Sequence, residues 1–365
     1  FWKITDIFKY YNSGIQTKND DFVFQYTEKG LEKIVEEITP LYKPEIEKKY
    51  NVKDSRDWKI ENAKKDLLEN YNPRKILYRP FDERFTSLSK VSKGFIGYPR
   101  YETAKHFEKE NYGLCFTRVV DKSKYQDVLI SDKFIDIHAT SGQTYIAPLY
   151  FYNGVEHSDM LPLEFEGEGM KFANFTADFV NRYLEKIDFE PSPEEILAYI
   201  YAVLHSPIYR EKYIEFLKTD FPAVPMTTDK TFFRKYAAWG QRLVDLHLLN
   251  EQGIAGQARN DGIATGQARN DGKPDSDIRV SFDFEGDFVP VKTETADNRL
   301  LITTTAGKTI TIDGVTEAIY NFEIGSYRPI EKWLKYRIKD KVELLASDIG
   351  HLKTCSSPSK ARWQR

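Results

Sequence analysis

Cysteine is nearly absent. Only Cys115 and Cys355 occur in 365 residues, which excludes a disulfide framework and a cysteine-rich zinc site and fits a reducing compartment. Long apolar runs are missing too. None approaches the roughly 18 consecutive apolar residues that a membrane span needs, and the opening Phe1-Trp2-Lys3-Ile4 has no signal-peptide pattern. A cytoplasmic protein without membrane contact is expected, and Phe1 in place of an initiating Met suggests an absent upstream region. The six histidines, at 106, 138, 157, 205, 247 and 351, form no close-spaced zinc pair. A large charge of one sign is also lacking: the net value of −3 argues against indiscriminate coating of nucleic acid, which rests on phosphate neutralisation. A reader that gathers its cations on one face remains compatible with it.

Catalytic machinery is equally scarce. An amino-methyltransferase needs an Asn-Pro-Pro-Tyr type motif to hold a flipped-out base, and none is present. Phe165-Glu166-Gly167-Glu168-Gly169 imitates a glycine-rich cofactor loop, but no strand-turn-helix context surrounds it and its acidic residues read as surface. Pro274-Asp275 has no acidic-x-Lys partner for a metal-dependent nuclease, and there is no Walker loop or nucleophile elbow. No catalytic residue, cofactor site or metal site is expected in this chain.

What is present is a protein that can fold. Hydrophobic residues make up 41% and charged residues 30%, and 23 Tyr and 24 Phe can fill cores or stack on bases. After Thr27, Leu31, Ile34, Val35, Ile38 and Leu41 recur at helical spacing, and residues 43–69 read as a solvated helix or linker. Residues 75–152 break into short alternating runs separated by Gly, Ser, Asp and Pro, which signals a sheet with long loops. Ser192-Pro193-Glu194-Glu195 is an N-cap, a first-turn proline and a capping box, and it opens a helix with Ile196, Tyr199, Ile200 and Val203 in one stripe. Ser206-Pro207 restarts a second helix and Thr231 begins a third. Gly-Gln-Ala-Arg-Asn-Asp-Gly occurs twice, at 256–262 and 266–272, which is too few copies for a solenoid and reads as a tolerated loop insertion. Residues 278–284 and 300–315 alternate as strands do, with a turn at Ala306-Gly307-Lys308, and Pro329 begins a short helix.

The expected fold class is α+β: a connector over 1–70, a β-rich lobe over 71–188, a helical lobe over 189–250, a flexible insertion over 251–275, a mixed β/α lobe over 276–345 and a disordered tail over 346–365.

Several segments carry a family resemblance. They are Ser13-Gly14-Ile15-Gln16-Thr17-Lys18-Asn19-Asp20, Tyr78-Arg79-Pro80-Phe81-Asp82-Glu83-Arg84-Phe85, the run from Ala198 through Leu204-His205-Ser206-Pro207 to Tyr209-Arg210, and Lys332-Trp333-Leu334-Lys335-Tyr336-Arg337. Together they resemble the C-terminal specificity domain of type ISP and related single-chain restriction-modification enzymes. Ala223 stands where the family commonly has Arg, and Ser326 where it has Gly. The resemblance implies a target-recognition module that reads double-stranded DNA for an upstream adenine-specific methyltransferase domain, which would bind S-adenosylmethionine outside this chain.

DNA contacts are expected from loops of the β-rich lobe, because Arg and Lys pair with guanine and phosphate while Ser, Thr and Gln supply further hydrogen bonds. The candidates are Lys90, Lys93, Tyr98 and Arg100 in one loop, Arg118, Lys122 and Lys124 in a second, and Ser141, Gln143 and Thr144 in a third. Arg79 and Arg84 are also candidates, with the alternative that they and Asp82 tie two strands together by a charge-assisted pair. A scaffold that docks another subunit without touching DNA is the competing function.

Overall fold

The computed structural model describes residues 1–119, 125–152, 162–163, 171–249, 280–281, 288–324 and 327–356. After two one-turn helices, Ile4–Ile7 and Asp20–Val23, the helix Glu28–Ile38 starts where the Thr27 hydroxyl accepts from the Gly30 N–H at 3.0 Å, and it buries Leu31, Ile34 and Ile38. The charged stretch after it forms two helices, Lys43–Tyr50 and Ile60–Glu69. Each needs only a narrow apolar stripe, Ile46 in one and Ile60, Ala63 and Leu67 in the other.

Ser192 closes its capping box as expected, accepting from the Glu195 N–H at 3.2 Å while Glu195 accepts from the Ser192 N–H at 2.8 Å. The Pro193–His205 helix is buried from Ile196 to Leu204, so it forms the middle of a core. Ser206 then caps Pro207–Leu217, and the third helix is Lys230–His247. A side chain at Gly240 would meet the Ala198 carbonyl oxygen at 1.8 Å, so two of these helices cross in backbone contact.

Four antiparallel strands make the main sheet, in the order Asn12–Ser13, Thr144–Pro148, Gly113–Thr117, Leu129–Ser131. Cys115 lies at its centre, fully buried, and burial pushes its thiol up. Beside the sheet stands the Pro73–Arg79 and Asp82–Ser87 hairpin, with Phe81 in the left-handed region at its turn. Two parallel bridges, Ile15 to Asp136 and Leu77 to Ile135, join the N-terminal segment and the hairpin to one backbone stretch.

The chain divides into two compact units, Phe1–Gly240 and Gln241–Arg365. Residues 1–70 are therefore no connector. Their strands pair with Tyr145, Ile146, Ala223 and Val224, and Gln25 bridges to Phe85. The three-helix stretch likewise contributes to the first unit as far as Gly240 instead of forming a lobe of its own.

The second unit pairs strands in the order Val280–Ser281, Thr309–Asp313, Arg299–Thr304, Pro290–Ala296. Leu300, Ile302, Ile310 and Ile312 face Trp333 and Leu334 of the Pro329–Lys339 helix in its core. The strand Pro290–Ala296 escaped the sequence reading because only Pro290 is buried; its signal is the turn Asp297-Asn298, where both residues have positive φ. The expected disordered tail needs correcting. Ala346–Cys355 is helical, with Ile349 and Leu352 packed into the core; two apolar residues are too few to show a period. Lys122, Lys124, residues 165–169, the duplicated repeat and Gly325-Ser326 lie outside the described residues. Among the described residues no helix is long and apolar enough to cross a membrane.

Gly14 decides how closely the N-terminal segment approaches Asp136, since a Cβ there would fall 2.4 Å from the Asp136 carbonyl carbon and oxygen. Gly14→Ala should lower the stability of the first unit by about 2 kcal/mol through overpacking. A urea midpoint reduced at unchanged slope is the expected result.

Candidate nucleic-acid interface

The 89–97 loop is tied to the helix beneath it by one carboxylate. Asp66, 4% exposed, accepts from the Ser89 hydroxyl at 2.9 Å and the Phe95 N–H at 2.8 Å, so it holds both ends of the loop. Trp58 adds a third hold by donating its indole N–H to the Phe95 carbonyl at 3.1 Å. Gly94 is required, because a Cβ there would sit 2.2 Å from an Asp66 oxygen. Tyr98, just beyond, pairs through its backbone with Gln16 at 2.9 and 3.1 Å.

Around Tyr98 the fold assembles cations. The Lys18 ammonium lies 5.3 Å from the ring centroid and the Arg100 guanidinium 5.5 Å from it. Asp57 links two more, accepting from Arg56 at 3.1 and 3.3 Å and pairing with Lys93 at 3.3 Å. The Arg56 hydrogen bond, with help from Lys93 and Tyr98, brings the Asp57 carboxyl down to about 2, so it remains an anion at working pH. Four cations thus share one aromatic ring and one carboxylate. Lys18, Lys93 and Arg100 have φ of 74°, 59° and 52°, a left-handed backbone that such residues adopt only when their surroundings enforce it. The Arg100 Nε is sealed from solvent without a hydrogen-bond partner. Lys90 is exposed on the same loop.

A second group lies along the neighbouring strands. Arg118, exposed, pairs with Asp220 at 3.6 Å and faces the Phe221 ring at 5.7 Å. Phe221 makes edge contacts with Tyr11, Phe116 and Tyr145 at 5.2 to 5.6 Å. Gln143 donates to the Tyr145 hydroxyl at 3.0 Å, and the Ser141 N–H donates to Asp127 at 2.9 Å. Gly142 stands beside the Val119 carbonyl, within 3.8 Å of where its Cβ would be, so the segments bearing Arg118 and Gln143 are adjacent. The extended stretch from Ser13, opposite Tyr145, to Gln16, opposite Tyr98, connects the two groups; three residues of strand span about 10 Å.

Two candidates require correction. Thr144 is fully buried in its strand, its hydroxyl shared with Thr140 at 2.8 Å and the Gly142 carbonyl at 3.3 Å. Arg84 is 4% exposed and bidentate to Asp82 at 2.9 and 3.2 Å, with its guanidinium 3.5 Å from the Tyr26 ring centroid. Burial opposes its charge, but Asp82 and Tyr26 prevail and hold the group firmly protonated. Arg79 is also committed within the fold, donating to Asp136 and to the Tyr78 carbonyl, each at 2.6 Å. Lys18 and Arg56 were missed. Lys18 lies in the resemblance segment and Arg56 in an Asp-Ser-Arg-Asp turn, and reading the first 70 residues as connector hid both. A largely apolar cavity of about 500 Å³ is lined by Phe1, Tyr209, Tyr213, Phe216 and Phe221 among others. Among the described residues no group of three or more His, Cys, Asp or Glu could hold a metal ion.

The sequence profile described as the type ISP C-terminal specificity domain matches residues 6–357. The chain belongs to this family. Solved structures share the fold of this specificity domain at low identity. One is the ATP-dependent type ISP restriction-modification enzyme LlaBIII bound to DNA, with a TM-score of 0.66 and 17% identity. Another is a nuclease-deletion mutant of the type ISP enzyme LlaGI in complex with a DNA substrate mimic, at 0.62 and 19%. A third is the DrdV–DNA complex, at 0.64 and 19%. Each likeness covers 98% of the specificity domain and respectively 23%, 27% and 35% of the other chain, so this chain spans a quarter to a third of their length. No curated protein matches it significantly in sequence.

Asp66→Ala would leave the Phe95 N–H and Ser89 hydroxyl without their acceptor. The expected cost is about 3 kcal/mol, from a buried donor pair losing its partner, together with faster amide exchange over 89–97, measured by urea titration and hydrogen exchange.

Proposed function

We propose that the chain reads the sequence of double-stranded DNA for a restriction-modification methyltransferase. The observation that carries this reading is the Tyr98 patch: Lys18 and Arg100 at the ring and Arg56 and Lys93 on Asp57 beside it, three of the four on left-handed backbone, in a protein with a net charge of −3. Such a concentration suits the phosphate backbone, while an aromatic-backed Arg100 suits a base edge. The Arg118, Ser141 and Gln143 group, about 10 Å along the same strand, supplies a second contact region. That the structural neighbours LlaBIII and LlaGI were solved with DNA or a DNA mimic supports the same reading. In this proposal methyl transfer and S-adenosylmethionine binding belong to an upstream domain of the parent enzyme, which works in the cytoplasm where its DNA is.

The test is fluorescence anisotropy on a pool of random duplexes at two salt concentrations, followed by sequencing of the bound fraction. An enriched motif is expected, with affinity falling steeply as salt rises. Lys18→Ala should reduce the slope of log K against log salt by about 0.9, the value of one lost phosphate contact. Binding that ignores salt, or no binding, would replace this reading with that of a scaffold for another subunit.

A further inference from the structure

Arg100 differs from the other arginines that turn inward. Arg74, Arg79, Arg84, Arg210 and Arg337 each donate to a carbonyl or a carboxylate of the fold. Arg100 is half-buried, yet among the described residues its side chain makes no hydrogen bond and no ion pair. Its Nε is sealed from solvent while its two terminal nitrogens are not, and its guanidinium faces the Tyr98 ring at 5.5 Å. The backbone is also unsuited to arginine. It is left-handed, at φ 52° and ψ 38°, and the Arg100 carbonyl holds it there by accepting from the N–H groups of Thr103 and Ala104, each at 3.0 Å. Arg100 stands at the N-cap of the one-turn helix Tyr101–Ala104, but its side chain makes no capping bond. Glycine or asparagine would suit this conformation better, and asparagine could also cap. The fold therefore gains little from arginine here, since the backbone is strained, the Nε donor is unsatisfied and the charge has no counter-ion.

We propose that Arg100 is a specificity-determining residue that reads one guanine in the major groove of DNA. The proposal rests on the DNA-reading assignment above and narrows it to one residue and one base. With Nε closed off, the guanidinium offers only the edge formed by its two Nη atoms, a pair of parallel donors in a rigid fork. Guanine is the base whose major-groove edge presents two adjacent acceptors, O6 and N7, to such a fork; adenine sets an amino donor beside its N7, thymine offers a single acceptor, and cytosine offers a donor. Tyr98 keeps the fork in place. Its backbone is bonded in both directions to Gln16, at 2.9 and 3.1 Å, and a guanidinium lying against a fixed ring loses little freedom on binding. Lys18 lies 5.3 Å from the same ring, and its ammonium, a point charge without a fork, suits an adjoining phosphate. One ring thus carries a base contact and a phosphate contact side by side.

The experiment compares wild type and Arg100→Gly, first by selection from random duplexes and then by anisotropy on the duplex that wild type enriches and on a scrambled one. Each guanine of the enriched duplex is replaced in turn by 7-deazaguanine, which lacks the N7 acceptor, and urea titration monitors the fold. Glycine accepts the left-handed backbone, so Arg100→Gly should unfold at a urea midpoint no lower than that of wild type. Its selected motif should lose the preference at a single guanine. 7-Deazaguanine at that position should weaken binding by wild type about tenfold or more, the worth of one bidentate pair, and binding by Arg100→Gly less than twofold. Equal losses by Arg100→Gly on the enriched and scrambled duplexes would assign Arg100 to a phosphate and overturn the proposal. An unchanged motif, a wild-type motif without guanine, or a 7-deazaguanine penalty equal in the two proteins would overturn it as well, and a lowered midpoint would make Arg100 a support of the fold instead. Wild type that enriches no motif would sink the DNA-reading assignment itself.

Discussion

The first unit is organised by the ion pair between Arg79 and Asp136. Asp136 is 1% exposed, and burial pushes its carboxyl up against the lowering effect of the Arg79 charge. It also accepts from the His138 N–H at 2.9 Å, and its backbone lies where Gly14 allows the N-terminal segment to pass. One residue therefore meets the hairpin through Arg79, the 135–138 stretch through its own turn, and the 12–17 segment through the parallel bridge at Ile15. Breaking such a pair by removing one partner costs about 3 to 5 kcal/mol, since the other charge is left buried. The two exposed groups of candidate contacts sit at opposite ends of the 12–17 segment, so their separation depends on this knot.

Elsewhere the first unit repeats the device. Asp66 holds the 89–97 loop and Asp127 holds the turn at 141. The amides of Asn111 and Asn174 do similar work. Asn111 bonds both the N–H and the carbonyl of Tyr150, and Asn174 bonds the N–H and carbonyl of Tyr10. A polar side chain under a loop satisfies backbone groups that the absence of a sheet partner would otherwise leave open. It also fixes the loop before any ligand arrives, which reduces the ordering cost of binding. The positive φ at Lys18, Lys93 and Arg100 is tolerated because these anchors over-determine the backbone.

The second unit uses an arginine for a different end. Arg337 is 5% exposed, lies 3.3 Å from the Trp333 ring centroid, donates to the Trp333 carbonyl at 3.3 Å and approaches Asp348 at 3.8 Å. It thereby joins the Pro329–Lys339 helix to the last one. A charged residue here closes a small core that few apolar side chains could complete alone.

Sequence alone determined the elements whose signals are local: the Thr27 and Ser192 caps, the helical stripes they open, the turn at Gly307 and the family motifs, because a cap or a period needs only neighbours within a few residues. It also showed that Arg79, Asp82 and Arg84 could form a structural ion pair, although which of them paired with which was not legible. Tertiary structure decided what depends on distant partners. It placed Lys18 and Arg56 beside Tyr98, sent Thr144 into a strand and Arg84 into the interior, and made residues 1–70 part of the first unit. It gave the final helix a core through Ile349 and Leu352. A cation's role is set by what lies within a few ångströms, and Lys18 meets Tyr98 from 80 residues away and Lys93 meets Asp57 from 36 residues away in the chain, separations that no local pattern records.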